Sequence, residues 1–276
     1  MENIDQTVVA GFGDEWSRFD QSDLPMEERT RIFDSYFSIF PWDRLPKNAT
    51  GFDAGCGSVR WASICAKRVG TLNLIDASNE ALKVARRNLR NENNVNFFNA
   101  SVDAMPLANG SQDFGYSLGV LHHIPNIGSG MRACVTKLKP GAPFLVYLYY
   151  RFDNRSLLFR TIWSLSNILR LIISRLPHPV RYVCSQVIAA TVYWPLAILS
   201  NLVGKLGLSP HGIPLSGYRD KSFYTMRTDA LDRFGTKLEQ RFTLVEIEAL
   251  MKTAGLENIS FSTSEPYWCA VGYRKN

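Results

Sequence analysis

An α/β fold built around a mostly parallel sheet of seven strands follows from three features of the 276-residue sequence. From Thr50 onward, short apolar runs alternate with stretches of helical periodicity, the pattern of repeated βαβ units. The first of those runs closes on Asp53 and enters a glycine turn, Gly55-Cys56-Gly57, ahead of a helical stretch. The next run, Leu72-Asn73-Leu74-Ile75-Asp76, ends in a second carboxylate roughly 20 residues past the turn, at the position where ribose hydroxyls are bound in nucleotide-binding sheets.

Residues 1–49 read as an N-terminal helical cap, because Ile32, Phe33, Tyr36, Phe37 and Phe40 recur at helical spacing over Glu28–Phe40. The strands expected next are Thr50–Asp53, Thr71–Asp76, Val95–Asn99, Phe114–Leu118 and Pro143–Tyr149. Between them Arg60–Val69, Ala81–Asn91 and Gly128–Leu138 read as helices, the last stopped by Lys139-Pro140-Gly141. Near the end, Thr243 and Glu246 form a capping box for a helix over Thr243–Ala254, and Gly255 stops it. Ile259–Ser262 and Cys269–Arg274 complete the sheet as an antiparallel edge. The expected organisation is therefore a cap (1–49), a ligand-binding core (50–150), a helical insertion after strand five (151–240) and the C-terminal part of the core (241–276).

The insertion is the unusual segment. Leu158, Ile162, Leu165, Leu169, Ile172 and Leu176 line one helical face, with Arg160, Ser164, Asn167, Arg170 and Ser174 on the other. No charged residue occurs between Arg181 and Lys205, a length sufficient to span a bilayer. A crossing would separate the last helix and strands from their sheet, and Pro195 would interrupt the spanning helix. A lid packed on the core is the preferred expectation, with peripheral membrane contact as the alternative.

Composition narrows the partners. With 46% hydrophobic and 20% charged residues the chain has the makeup of a packed globular protein rather than a disordered one. The formal net charge of +6 permits an acidic partner, but the basic residues are scattered. Lys83, Arg86, Arg87 and Arg90 fall at helical spacing and read as a solvated face rather than a phosphate track, so a nucleic-acid partner is not expected. Five cysteines without a C-x-x-C pair support neither a zinc site nor a disulfide framework, and no metal is expected. The start, Met1-Glu2-Asn3-Ile4-Asp5, lacks the basic and apolar regions of a secretion signal, which favours a cytoplasmic location.

The turn discriminates between ligands. Dinucleotide binding requires G-x-G-x-x-G/A, whereas Arg60 occupies the last position here. Asp53, just before the turn, would repel a pyrophosphate but suits the cationic amino-acid end of S-adenosylmethionine. Asp53-Ala54-Gly55-Cys56-Gly57 thus resembles motif I of the Rossmann-like class I S-adenosylmethionine-dependent methyltransferases. Asp76, the loop Ser101-Val102-Asp103-Ala104-Met105-Pro106-Leu107 and the segment Ser117-Leu118-Gly119-Val120-Leu121-His122-His123-Ile124-Pro125 follow in that family's order. The last segment is similar to the ubiquinone/menaquinone-biosynthesis type, the methyltransferase type 11 domain. One departure is Val59, where the family often has a third glycine. At positive φ, Val would cost about 1–2 kcal/mol and weaken donor binding.

The resemblance implies the donor S-adenosyl-L-methionine, with Asp53, Gly55 and Gly57 at its methionine portion, Asp76 at the ribose, Val102 and Asp103 at the adenine edge, and Leu118 and Gly119 lining the pocket. It also implies that Phe12–Phe19 closes over the donor, with Trp16 shielding the sulfonium. Candidate bases and acceptor-binding groups are His122, His123, Tyr149, Tyr150, Arg151, Asp153 and His211, with Tyr218, Arg219 and Tyr224 from the end of the insertion. The expected function is methylation of a small lipophilic or aromatic acceptor, at oxygen in preference to carbon or nitrogen. The rivals are a nucleic-acid methyltransferase, disfavoured because an N/D-P-P-Y/F motif is missing after strand four, and a donor-binding but inactive membrane-associated scaffold.

Overall fold

The computed structural model describes residues 3–276, so Met1 and Glu2, which begin the expected cap and the signal-free start, lie outside it. In chain order the helices are α1 (Gln6–Arg18), α2 (Met26–Tyr36), α3 (Ala62–Cys65), α4 (Asn79–Asn88), α5 (Ile127–Lys137), α6 (Leu157–Ile173), α7 (His178–Ile188), α8 (Trp194–Lys205), α9 (Phe223–Gly235) and α10 (Leu244–Thr253). The strands are β1 (Thr50–Ala54), β2 (Thr71–Asp76), β3 (Val95–Asn99), β4 (Phe114–Leu118), β5 (Pro143–Tyr147), β6 (Leu256–Phe261) and β7 (Cys269–Arg274). The chain divides into two units: one holds the residues up to Gln21, Arg29–Asp153 and Leu238–Asn276, the other Ser22–Glu28 and Asn154–Lys237.

The first unit carries a seven-stranded sheet of order β3-β2-β1-β4-β5-β7-β6. The pairs among β1–β5 are parallel, whereas β7 runs antiparallel to both β5 and β6. Strand order reverses between β1 and β4, so their carboxyl ends flank the crevice in which such sheets bind ligands. Alternation along each strand supplies a core on either face. Leu72, Leu74, Phe114 and Tyr116 pack with Phe33, Phe37 and Phe40, while Phe52, Ile75, Phe144 and Val146 pack with Met131, Ile247 and Met251. The Thr243–Glu246 capping box is present in full at α10.

Several local expectations change; the strand expected over Ile259–Ser262 is β6, Leu256–Phe261, which starts three residues earlier. The helix expected over Arg60–Val69 shrinks to the single turn α3, followed by a 3-10 turn over Ala66–Arg68. Val59, at φ +62°, turns the chain left-handed and delays the right-handed ladder. The cap helix, α2, ends at Tyr36 rather than Phe40, and Trp42 lies in a 3-10 turn just past Pro41. Strand β5 stops at Tyr147, leaving Tyr149 beyond it.

The second unit is helical. Helix α9 packs against α6, α7 and a π-helical turn, Ala189–Tyr193, that joins α7 to α8. Pro195 was expected to interrupt this stretch, yet the helix runs on from His178 to Lys205. The wider turn just before it accommodates the missing N–H and the ring of proline. Met226, Ala230 and Phe234 of α9 meet Ile173, Ala189, Tyr193 and Ala197 in a small apolar core. Helix α6 buries little but its C-terminal end: its apolar face is exposed, with Leu158 at 71% and Leu165 at 63%, as are Arg160 and Ser164, whereas Arg170 is 5%, Ile173 5% and Ser174 1% exposed. The cause is the C-terminal end of α9, whose last carbonyls need donors. Arg170 donates to the Thr236 carbonyl at 2.9 Å and Arg181 to the Gly235 carbonyl at 2.8 Å. Their positive charge also suits the negative end of the helix dipole. At the opposite end, Glu28 accepts from the Ser222 N–H and the Thr225 hydroxyl.

Candidate active site

The glycine turn is held from below. The N–H groups of Gly55 and Cys56 both donate to the Ile75 carbonyl, at 2.8 and 3.0 Å, which binds the turn to the end of β2. Asp76 then bridges two loops: one carboxylate oxygen accepts from the Gly57 N–H and the other from the Ser78 N–H, each at 2.8 Å. Burial raises its pKa, and the two N–H donors partly offset that rise. Each oxygen retains a lone pair for a ribose hydroxyl. At the neighbouring strand end Asp76 pairs with Asn99, and Val102–Ala104 follows as a 3-10 turn with Val102 buried and Asp103 exposed.

Glycine is required at the turn itself. Gly55 has φ +90°, and a Cβ there would lie 2.4 Å from Val120. Gly57 has φ +51°, and a Cβ would lie 2.9 Å from the Trp16 indole nitrogen. On the far side of the crevice Gly119, at φ +79°, faces open space, just after Leu118. Val59 settles the departure from the family pattern: it adopts φ +62°, which is strained for a β-branched side chain, while its side chain is buried.

Asp53 lies at the foot of the turn, 1% exposed, and neither carboxylate oxygen has a hydrogen-bond partner of ordinary geometry. Burial pushes its pKa well above the ordinary aspartate value; the nearby Tyr116 hydroxyl pulls the other way, and the charge of Asp76 adds to the rise. A buried carboxyl without a partner is costly unless a ligand supplies one. Four buried cysteines ask for no partner: burial pushes the thiols of Cys56, Cys65, Cys134 and Cys269 up, leaving them protonated and inert.

Helix α1 covers this turn. Its N-cap Asp5 accepts from Thr7 and Val8 N–H groups, and one turn separates Phe12 from Trp16, whose rings stack at 6.4 Å. Trp16 lies over Gly57, and Phe12 lies 5.0 Å from the His123 ring. One helix thus roofs both the glycine turn and the histidine pair.

The histidines follow Gly119 on a 3-10 turn, both buried. His123 Nδ1 lies 2.7 Å from the Leu238 carbonyl. A carbonyl only accepts, so the proton sits on Nδ1 and Nε2 is the basic nitrogen. Neither nitrogen of His122 has a hydrogen-bond partner. Burial, followed by the charges of His123 and Arg241, holds its pKa well below the usual histidine value, so it is neutral at pH 7. His122 stacks on Tyr149 at 3.9 Å, and a line of rings continues through Tyr147 and Tyr36 to Trp61.

Several components here have no local sequence signal. Residues 238–242 return along the site: Gln240 N–H donates to the His122 carbonyl and Phe242 N–H to the Tyr149 carbonyl. Arg241, ion-paired to Glu239 at 2.7 Å, stands over the Tyr149 and Phe152 rings at 5.0 and 5.2 Å. The aromatic run Tyr147-Leu148-Tyr149-Tyr150 was the one available hint of this wall. Two other candidates make contacts within the same unit. Arg151 pairs with Glu246 at 3.0 Å, and Asp153 accepts from the Trp268 indole and the Leu244 N–H.

Tyr218, Arg219, His211 and Tyr224 belong to the second unit. The Tyr218 hydroxyl donates to Asp229 at 2.9 Å, and Arg219 pairs with Asp220 and donates to the Ser216 carbonyl. His211 is exposed and its carbonyl accepts from Arg155, while the Tyr224 carbonyl accepts from Thr228. The structure therefore brings His122, His123 and Tyr149 together and engages Tyr218 and Arg219 in contacts of their own unit.

A seven-stranded sheet of this order, with a glycine turn at the switch point and acids at the ends of β1 and β2, defines a class of protein rather than an acceptor. Residues 52–146 match the family model described as "Methyltransferase domain". Residues 52–146 thus carry an S-adenosylmethionine-dependent methyltransferase domain, and S-adenosyl-L-methionine is the cofactor of that domain. Over 107 residues the chain is 31% identical to the ubiquinone biosynthesis O-methyltransferase of Albidiferax ferrireducens, covering 38% of this chain and 41% of that protein. The chain thus spans less than half the length of that curated relative. Among solved structures, an O-methyltransferase family protein from Burkholderia thailandensis is similar at 15% identity and a TM-score of 0.55, over 97% of this chain and 60% of that one. A possible histamine N-methyltransferase from Thermotoga maritima is similar at 15% identity and a TM-score of 0.51, over 98% and 99% of the two chains. At that identity these structures establish the fold.

The residues present fit the cofactor. The turn leaves no room for a Cβ at Gly55 or Gly57, Gly119 faces open space, and Asp53 is a buried carboxyl in need of a positive partner.

Proposed function

We propose that the protein transfers a methyl group from S-adenosylmethionine to an oxygen atom of a small aromatic or lipophilic acceptor held at the carboxyl ends of β4 and β5. The observation that carries the reading is the His123 imidazole. Its basic Nε2 is set by the Nδ1–H bond to the Leu238 carbonyl, and it stands among rings on the turn that follows Gly119.

When bound, the cofactor supplies an electrophilic methyl group on a sulfonium, open to in-line displacement. Gly55 and Gly57 let the backbone approach the methionine portion, and Asp53 meets its ammonium. Asp76 accepts from the ribose hydroxyls, Val102 and Asp103 border the adenine, and Leu118 and Gly119 line the remaining wall. Phe12 and Trp16 exclude water and hold the reactants in one orientation, a large share of what such a displacement needs. His123 Nε2 takes the proton of an acceptor hydroxyl as the new C–O bond forms. His122, held neutral, adds no charge that would oppose a protonated His123, while Phe12, beside the His123 ring, offers a ring to an aromatic acceptor.

Incubating the purified chain with methyl-labelled donor and panels of catechols, aliphatic amines and short RNA tests this reading. Label is expected in the oxygen of hydroxylated aromatics; label confined to amines or RNA would contradict it. The left-handed backbone at Val59 supports a second reading, a donor-binding protein without turnover, for which donor still titrates, more weakly than into Val59→Gly, and no panel member is labelled.

A further inference from the structure

The second unit hides its arginines and shows its leucines. On α6, Leu157, Leu158, Ile162, Leu165, Ile168, Leu169 and Ile172 are exposed. Along the continuous helix of α7, the π-turn and α8, a stripe of Val180, Val183, Val187, Trp194, Ile198 and Leu202 is exposed at helical spacing. Only 22% of the most apolar stretch of that 28-residue helix is buried. Outside this unit the exposed large apolar side chains on the described residues are isolated ones such as Val245. Contiguous apolar surface of this extent marks an interaction face.

Charge identifies the occupant. From residue 154 to 219 there is no aspartate or glutamate, while seven arginines and lysines occur. Two of them, Arg170 and Arg181, are buried caps of α9, whereas Arg160, Arg175 and Lys205 are exposed. An apolar face whose own helices carry positive charge and no carboxylate complements a bilayer with anionic headgroups, and exposed Trp194 is the side chain favoured at the headgroup level. Crossing the membrane is a different matter. Helix α9, packed against α7 and the π-turn, carries Arg227, Asp229, Asp232 and Arg233, which a spanning α7–α8 would carry into hydrocarbon.

We propose that the exposed faces of α6 and α7–α8 seat the protein on the surface of an anionic phospholipid bilayer without crossing it. The Pro195-containing helix then lies in the interface, with its buried polar side toward α9.

Flotation of the full chain tests this with phosphatidylcholine vesicles and with equimolar phosphatidylcholine/phosphatidylglycerol vesicles. The wild type is expected to float with the anionic vesicles and at least fivefold less with the neutral ones. The variant Leu165→Glu/Leu169→Glu/Ile198→Glu/Leu202→Glu is expected to lose flotation at least fivefold, with its circular dichroism and S-adenosylmethionine titration unchanged. Val245→Glu, in the other unit, should float as the wild type does. The proposal is overturned if the wild type stays in the pellet with both vesicles, or if the quadruple variant floats unchanged. It is equally overturned if sedimentation equilibrium shows an oligomer that this variant dissociates while nothing floats.

Discussion

In the sheet-bearing unit Phe33, Phe52, Phe114 and Tyr116 are fully enclosed, whereas in the helical unit Arg170 and Arg181 are enclosed and rows of leucine face outward. Both arrangements follow the same accounting of polar groups. The sheet satisfies its backbone through its own ladders, so its interior can be apolar. The helical unit has few elements, and the end of α9 needs donors from α6 and α7, which turns Arg170 and Arg181 inward and leaves the apolar sides of those helices exposed. What differs is where each unit depends on something outside itself: the first at the Asp53 carboxyl, the second over an extended face.

The strongest way to break this comparison is Gly55→Ala. A Cβ at φ +90° and 2.4 Å from Val120 distorts the turn. Donor affinity measured calorimetrically should fall by more than about a hundredfold, the scale of a strained backbone plus a clash. Helical content from the second unit should be unchanged. Asp76→Ala follows. It removes the acceptor expected for the ribose and also frees the Gly57 and Ser78 N–H groups, so affinity should fall about tenfold to a hundredfold. In the helical unit, Arg170→Met removes a buried cap. Hydrogen exchange in α6 and α9 should quicken by the equivalent of about 1–3 kcal/mol, while exchange in β1–β5 is unaffected.

Two smaller effects sharpen the account of the turn. Because the Asp53 pKa is raised in the folded chain, its ionisation costs stability: the ligand-free fold loses this contribution as pH rises through the unfolded value of about 3.9 toward the raised one. Asp53→Asn should therefore match the wild type in melting temperature near pH 3, exceed it by a few degrees near pH 7, and bind donor more weakly. A variant no more stable at pH 7 than the wild type would contradict the partnerless carboxyl. Val59→Gly relieves a strain of about 1 kcal/mol but gives up a buried side chain. Donor binding improved a fewfold with little change in stability is the expected result, and an unchanged affinity would make the left-handed Val harmless.

Legibility in the sequence tracked the range of the interactions. Strands β2, β3 and β4 begin and end where the apolar alternation places them, and the Thr243–Glu246 box is visible because its partners are three residues apart. Gly55, Gly57 and Asp76 are legible for the same reason, since a turn and a strand end are local. Arg241 and the 238–242 return are not, because they reach the site from more than 90 residues away in sequence. Periodicity on α6 revealed that it has an apolar face but not which way that face points; the deciding contacts, from Arg170 to Thr236 and from Arg181 to Gly235, join distant helices. Pro195 misled because the π-turn that absorbs it has no sequence signature of its own.

The central claim is that the glycine turn between Asp53 and Asp76, roofed by α1, is where S-adenosylmethionine binds. Hydrogen exchange of the purified chain with and without saturating donor tests it most directly. The account predicts slower exchange at Gly55–Val59, Ser78, Val102–Ala104 and Gly119, together with Phe12–Trp16 of α1. Bound donor, verified by titration, with exchange at the turn and α1 unchanged would place the ligand elsewhere and contradict it.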